Sequence, residues 1–170
     1  MTEFAECLNR LPEPLQPEVV RHWEAFEAAA RTAGMHLPGG VALERLVAVW
    51  ASSEFVAHAC IREPALLASA DLATRYAPGD YALRLERALA EVVDEDRLGV
   101  VLRRFRRREM ARIAWRDLAG LAALEETLGD LTDLAECLVG AALERLHGWQ
   151  ARRFGEPCDA EGQPRRLVVV

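Results

Sequence analysis

A chain of 170 residues suffices for one compact domain burying roughly 70% of its unfolded surface, and its net charge of −6 opposes dedicated nucleic-acid binding, whose footprint is strongly basic. Hydrophobic residues make up 51%, yet no run approaches the ~20 apolar residues that span a bilayer, and Met1 to Glu6 lack the basic start and apolar core of a signal peptide; a cytoplasmic protein without a membrane partner is predicted. Cys7, Cys60, Cys137 and Cys158 are scattered with no C-x-x-C pair, which predicts reduced thiols rather than a metal or redox site.

The first ten residues carry little pattern, and Pro12, Pro14 and Pro17 are expected to hold the chain extended, so 1–16 reads as a lead-in. Pro17 suits the first turn of a helix from about Glu18 to Ala33, with Val19, Val20, Trp23, Phe26 and Ala30 near one face and Gly34 as its stop. After Pro38-Gly39-Gly40 a second helix carries Leu43, Leu46, Val47 and Trp50. Ser52 or Ser53 caps a third, short one through Phe55, Val56 and Ala59 that ends before Pro64. Pro64 opens a short helix through Leu66 and Leu67, and Asp80, after the Pro78-Gly79 turn, starts another reaching Val93.

Asp94-Glu95-Asp96 resembles a cluster able to hold a metal, but three carboxylates ahead of a helical pattern are more simply an N-cap and first-turn acids favoured by the helix dipole. A long helix follows from about Arg97 to Leu118, then a break at Gly120, a short turn through Glu125 and Glu126, and a last helix from about Asp130 to Phe154. That last helix has Leu131, Leu134, Leu138, Ala142, Leu146 and Trp149 at helical spacing. The fold class expected is all-α, a helical domain over 17–154. A turn rich in Gly, Pro and Asp then leads into one short strand, Arg166 to Val170, with no partner strand in the sequence. The chain is therefore expected to be a fragment whose chemistry lies past Val170.

Charge is densest between Arg103 and Asp117. At 100° per residue, Leu98, Leu102, Phe105 and Ile113 form one apolar stripe, with Arg104, Arg107 and Arg108 pointing away into solvent. Glu109 and Arg116 project onto that stripe, and Arg112 and Asp117 lie at its margins. A buried unpaired charge costs several kcal/mol. Two readings stay open: Glu109 pairs internally with Arg112 and Arg116, or this face meets an anionic group such as a phosphate, for which arginine offers a planar fork of donors.

His22, His36, His58 and His147 are far apart in sequence and lack H-E-x-x-H spacing, so each is expected to be a surface or cap residue and no metal ligand is assigned. There is no G-x-S-x-G, Walker loop or dinucleotide fingerprint. An aromatic patch around Trp23, Phe26 and Trp50 is the candidate surface for a protein partner.

The string Arg104-Phe105-Arg106-Arg107-Arg108-Glu109-Met110, then Arg112-Ile113-Ala114-Trp115-Arg116-Asp117-Leu118 and Leu124-Glu125-Glu126-Thr127, resembles the glutamine synthetase adenylyltransferase family. So do Phe154-Gly155-Glu156-Pro157 through Gly162-Gln163-Pro164 into Leu167 to Val170, and the earlier Val49-Trp50-Ala51-Ser52-Ser53-Glu54-Phe55-Val56-Ala57 with Glu63-Pro64 and Tyr76-Ala77-Pro78-Gly79. The resemblance covers about Leu43 to Val170. It implies large bifunctional nucleotidyltransferases that use magnesium with ATP or phosphate. The N-terminal half removes AMP from a tyrosine of glutamine synthetase by phosphorolysis, and the C-terminal half attaches it.

On this resemblance the chain is the helical beginning of the N-terminal half, and 155–170 is the turn and first strand of a nucleotidyltransferase domain. The family's Gly-Met-Gly-Lys-Leu-Gly-Gly loop and Asp-x-Asp pair would follow Val170, so the chain itself is expected to hold no catalytic residue, bind no cofactor and be inactive alone. Glu109, Arg112 and Arg116 are the candidates for a phosphate- or domain-facing surface. The implied partners are glutamine synthetase and the PII signalling protein. The alternative is a non-catalytic helical module binding either of them.

Overall fold

Caps, prolines and left-handed glycines cut the chain into helices. The computed structural model describes residues 2–69 and 72–166. Among these it has α1 (Thr2–Leu8), α2 (Gln16–Thr32), α3 (Gly40–Ser52), α4 (Glu54–Arg62), α5 (Ala65–Ala68), α6 (Asp80–Leu89), α7 (Glu95–Leu118) and α8 (Leu124–Phe154), with a 3-10 turn at Glu13–Leu15. The fold is all-α. Of the strand expected at Arg166 to Val170, residues 167–170 lie outside the described residues. Just before it, an isolated antiparallel bridge joins Cys158 and Pro164, around a turn in which the Asp159 carboxylate accepts from the Glu161 and Gln163 amides and pairs with Arg165 at 2.7 Å. No described helix is long and apolar enough to cross a membrane.

Two compact units divide the residues, one of Met1–Arg75 with Arg107–Leu131 and one of Tyr76–Arg106 with Thr132–Val170. In the first unit the apolar face of α2, Val19, Phe26 and Ala30, packs with Leu43, Leu46, Val47 and Trp50 of α3, Val56 and Cys60 of α4, and Ala111 and Trp115 of α7. Each large side chain so buried contributes about 1.5–3 kcal/mol. Phe26 meets Trp50 edge-on at 5.5 Å between ring centroids. The aromatic patch proposed from sequence is therefore interior: Phe26 is 1% and Trp50 2% exposed, because both sit on the stripes that their helices turn inward, and only Trp23 keeps a partly exposed edge.

The N-terminal residues also depart from expectation, since Thr2–Leu8 is helical rather than patternless. Tertiary contacts make up for its weak local signal: Phe4 stacks on Trp23 at 4.6 Å, Cys7 is buried, and Glu3 accepts a 2.5 Å hydrogen bond from the Gly40 amide. Pro14 falls in the first turn of the 3-10 segment and Pro17 in that of α2, where their missing amides cost nothing.

In the second unit α6 turns Tyr81, Leu85 and Leu89 inward and stops short of Val93, as Ala90 and Glu91 form a turn. Tyr76 and Tyr81 meet edge-on at 5.2 Å, with the Arg84 guanidinium over Tyr76 at 4.3 Å. From α8, Arg145 donates to the Val92 carbonyl at 3.2 Å and Gln150 to Glu95 at 3.1 Å. Asp94 caps α7, accepting from the Arg97 amide at 2.7 Å. The turn read through Glu125 and Glu126 is instead the first turn of an unbroken α8, where carboxylates are favoured by the helix dipole.

Candidate functional site

The apolar stripe of α7 carries its charges inside the first unit. Glu109, Arg112 and Arg116 are only 2%, 1% and 3% exposed, whereas Arg104 and Arg107 face solvent and Arg108 is half-buried. Spacings of three and four residues along α7 line the three buried side chains up on one face. The segment after α5 and the first turns of α8 bring their partners.

Arg112 uses its whole guanidinium. Its Nε donates to Glu109 Oε2 at 3.1 Å, Nη1 to the Thr74 carbonyl at 2.9 Å and Nη2 to Asp130 Oδ2 at 2.9 Å. Arg116 donates through Nη1 to the Ala73 carbonyl and through Nη2 to Glu126 Oε1 and, at 3.2 Å, to the Leu121 carbonyl. Leu121 is placed by the end of α7 itself: Gly120 adopts φ 67°, and the Leu121 amide returns to the Arg116 carbonyl at 2.7 Å. At the rim Arg75 lies 3.4 Å from Glu126, and the Thr127 hydroxyl donates to Asp117 at 3.0 Å.

Two guanidinium groups thus sit among three carboxylates and three backbone carbonyls. Charge-assisted, multiply bonded geometry of this kind is what offsets the desolvation of buried ions. An incoming phosphate would have to displace Asp130, Glu126 or a carbonyl. Of the nitrogens of these two guanidinium groups, Arg116 Nε is buried with no hydrogen bond among the described residues.

A second cluster lies between α2 and α4. His22 is 4% exposed, and burial pushes its imidazole below the ordinary histidine range against the opposing pull of Glu18. Its ring meets that of His58 edge-on at 5.3 Å. One donor atom from each of His22, Glu54 and His58 lies within 4.8 Å of the others. The reading of the histidines as surface or cap residues is corrected at His22 alone, while His36 and His58 are exposed: His22 belongs to the buried face of α2, three residues after Val19 and four before Phe26. The overlooked signal was that spacing, together with matching Glu-x-x-x-His pairs at Glu18/His22 and Glu54/His58.

The second unit contains an open groove of about 1000 Å³. Leu89, Val92 and Val93 form one wall, Cys137, Ala141 and Trp149 of α8 the other. Glu86, Glu144, Arg145 and Arg152 also line it.

A family model for glutamate-ammonia ligase adenylyltransferase matches residues 43–170. The chain belongs to that family. Similar curated relatives, all named bifunctional glutamine synthetase adenylyltransferase/adenylyl-removing enzyme, include the protein of Thioalkalivibrio sulfidiphilus, 46% identical over 170 residues, and that of Nitrosococcus oceani, 40% identical over 169, each match covering 96% of this chain and 17% of the relative. The Pseudomonas aeruginosa protein is 38% identical over 174 residues, with 96% of this chain and 18% of the relative covered. The chain therefore spans less than a fifth of the length of these relatives.

For the full-length relatives the family name implies ATP and a divalent metal held against its phosphates, and the carboxylates gathered around α7 do not fit that role. Phosphate binding of this kind uses a cradle of backbone amides and metal-holding carboxylates. Here Asp94 is engaged as the cap of α7, and Asp130 and Glu126 are engaged by arginine. No catalytic step is assigned to these side chains.

Proposed function

We propose that the chain forms a helical part of the N-terminal half of a bifunctional enzyme that regulates glutamine synthetase. In this reading that half removes AMP from a tyrosine by phosphorolysis, and the other half attaches AMP from ATP. The observation that supports it is the alignment of 96% of the chain with relatives that bear both activities in their name. The helices act as a scaffold for a nucleotidyltransferase domain, with 155–170 as the lead-in. That domain supplies the phosphate cradle and the carboxylates for magnesium. Glutamine synthetase is the target and the PII signalling protein a regulatory partner, both met in the cytoplasm.

The test mixes the 170-residue chain with adenylylated glutamine synthetase, phosphate and magnesium. No AMP should leave the tyrosine; release by the chain alone would refute the scaffold reading. For Glu109, Arg112 and Arg116 the proposal is an internal tie, since the arginine donors already have acceptors in the same unit. Replacing Arg116 by Ala in a full-length relative should then lower melting temperature and deadenylylation together. Activity falling well beyond stability would instead favour a face turned to phosphate or to the next domain.

The groove of the second unit favours an additional reading, a module that binds glutamine synthetase or PII without touching nucleotide. Gly140 lines the groove and has open space where a Cβ would stand, so Gly140→Arg should obstruct the groove while leaving the fold intact. Retention of both partners in a pull-down by that variant would remove this reading.

A further inference from the structure

The pairing of α2 with α4 leaves one buried group without an explanation in the fold. His22 is 4% exposed, and neither of its ring nitrogens makes a hydrogen bond. Glu18 Oε1 lies 3.3 Å from His22 Nε2 but out of line for one. Buried polar atoms in native proteins nearly always have partners, and leaving one unmet costs about 1–3 kcal/mol. The groups beside this imidazole are metal ligands by chemistry: Glu54, and His58 whose Nε2 is 3.9 Å from Glu54 Oε1.

We propose that His22, Glu54 and His58 form a binding site for a zinc-class divalent cation that ties α2 to α4, with Glu18 beside it as a fourth donor. Two imidazoles with carboxylates are a donor set suited to Zn²⁺, Co²⁺ or Ni²⁺ rather than Mg²⁺. Tetrahedral Zn²⁺ with bonds of ~2.0–2.1 Å puts its ligands roughly 3.3 Å apart, and the three donor atoms already stand within 4.8 Å of one another. The remaining closure falls to the side chains best able to move, since those of Glu54 and His58 are 69% and 58% exposed. His22 is the fixed point, held among core side chains with its ring edge-on to Trp50 at 6.4 Å.

Ordinary pairing of histidine with glutamate one turn away accounts for each helix singly. It does not account for both pairs converging on a buried ring. Arg21 occupies the other oxygen of Glu18, so Glu18 is a shared donor and its loss should weaken binding less than loss of His58. Water from the exposed side can complete the coordination.

The experiment titrates the full 170-residue chain with ZnCl₂ by calorimetry and with CoCl₂ by visible absorption, then compares melting with and without zinc. One equivalent should bind, the Co²⁺ spectrum should lack the intense near-ultraviolet band of thiolate ligation, and zinc should raise the melting temperature. His58→Ala and Glu54→Gln change exposed side chains, so helicity should persist; binding should weaken at least ~tenfold, as removing even outer-sphere partners of a metal does. Cys158→Ser, at an exposed thiol, should leave binding unchanged. No stoichiometric uptake, unaltered affinity in both His58→Ala and Glu54→Gln, or loss of binding in Cys158→Ser would overturn the proposal.

Discussion

Arg112 shows how an ion can be kept in an apolar stripe. It is 1% exposed, and its solvation is replaced by Glu109, Asp130 and the Thr74 carbonyl. The energetic risk lies in breaking the set rather than in lacking it: removing one partner of a buried pair costs about 3–5 kcal/mol, while replacing the whole set by packed apolar residues is often neutral. Arg112→Met should therefore lose several kcal/mol in urea denaturation. The triple variant Glu109→Leu, Arg112→Met, Asp130→Leu should lose less than that single change. Cysteine chemistry gives a second check. Burial holds the Cys60 thiol up to about 12, whereas Cys158 is exposed. The attacking species is the thiolate, so at pH 8 a thiol near 12 is ionised about a thousandfold less than an ordinary one. Iodoacetamide followed by mass mapping should label Cys158 in the folded chain and Cys60 only after denaturation.

Helix ends were the most legible feature of this chain because they are local chemistry. Gly34 takes φ 65°, with the Met35 amide bonded back to the Ala30 carbonyl at 2.9 Å, and Gly120 closes α7 in the same way. Nothing would touch a Cβ at either glycine, so Gly34→Ala and Gly120→Ala isolate the backbone cost, about 1–2 kcal/mol each for a left-handed residue with a side chain. Asp94→Ala should cost about 1 kcal/mol through loss of the α7 cap. Chemical denaturation of the three variants checks these values. The Ser53 cap on Val56 at 3.3 Å was likewise readable. What sequence could not supply were the partners: α1 is held by Phe4 against Trp23, Arg112 and Arg116 by residues 72–75 and the start of α8, and His22 by α4. The stripe geometry placed Glu109 and Arg116 on a buried face, but whether that face met solvent, phosphate or acids from elsewhere depended on contacts distant along the chain.

Across the whole chain the arginine-rich stretch of α7 invites a nucleic-acid reading that the charge distribution opposes. Net charge is −6, and the most deeply buried arginines, Arg112 and Arg116, are committed to carboxylates and carbonyls, which leaves the exposed Arg103, Arg106 and Arg107 to meet a phosphate backbone. Each neutralised phosphate contributes about 0.9 to the slope of log affinity against log salt, and dedicated binders combine many such contacts. A handful of arginines in an acidic chain should give no saturable binding of a short duplex at physiological salt in fluorescence anisotropy, even at ~100 µM protein, weaker than the usual non-specific range. Weak binding at low salt should disappear with a slope of only a few. A steep slope together with micromolar affinity at physiological salt would show that the solvent-facing side of α7 is a nucleic-acid surface after all, and that the acidity of the rest of the chain does not reach it.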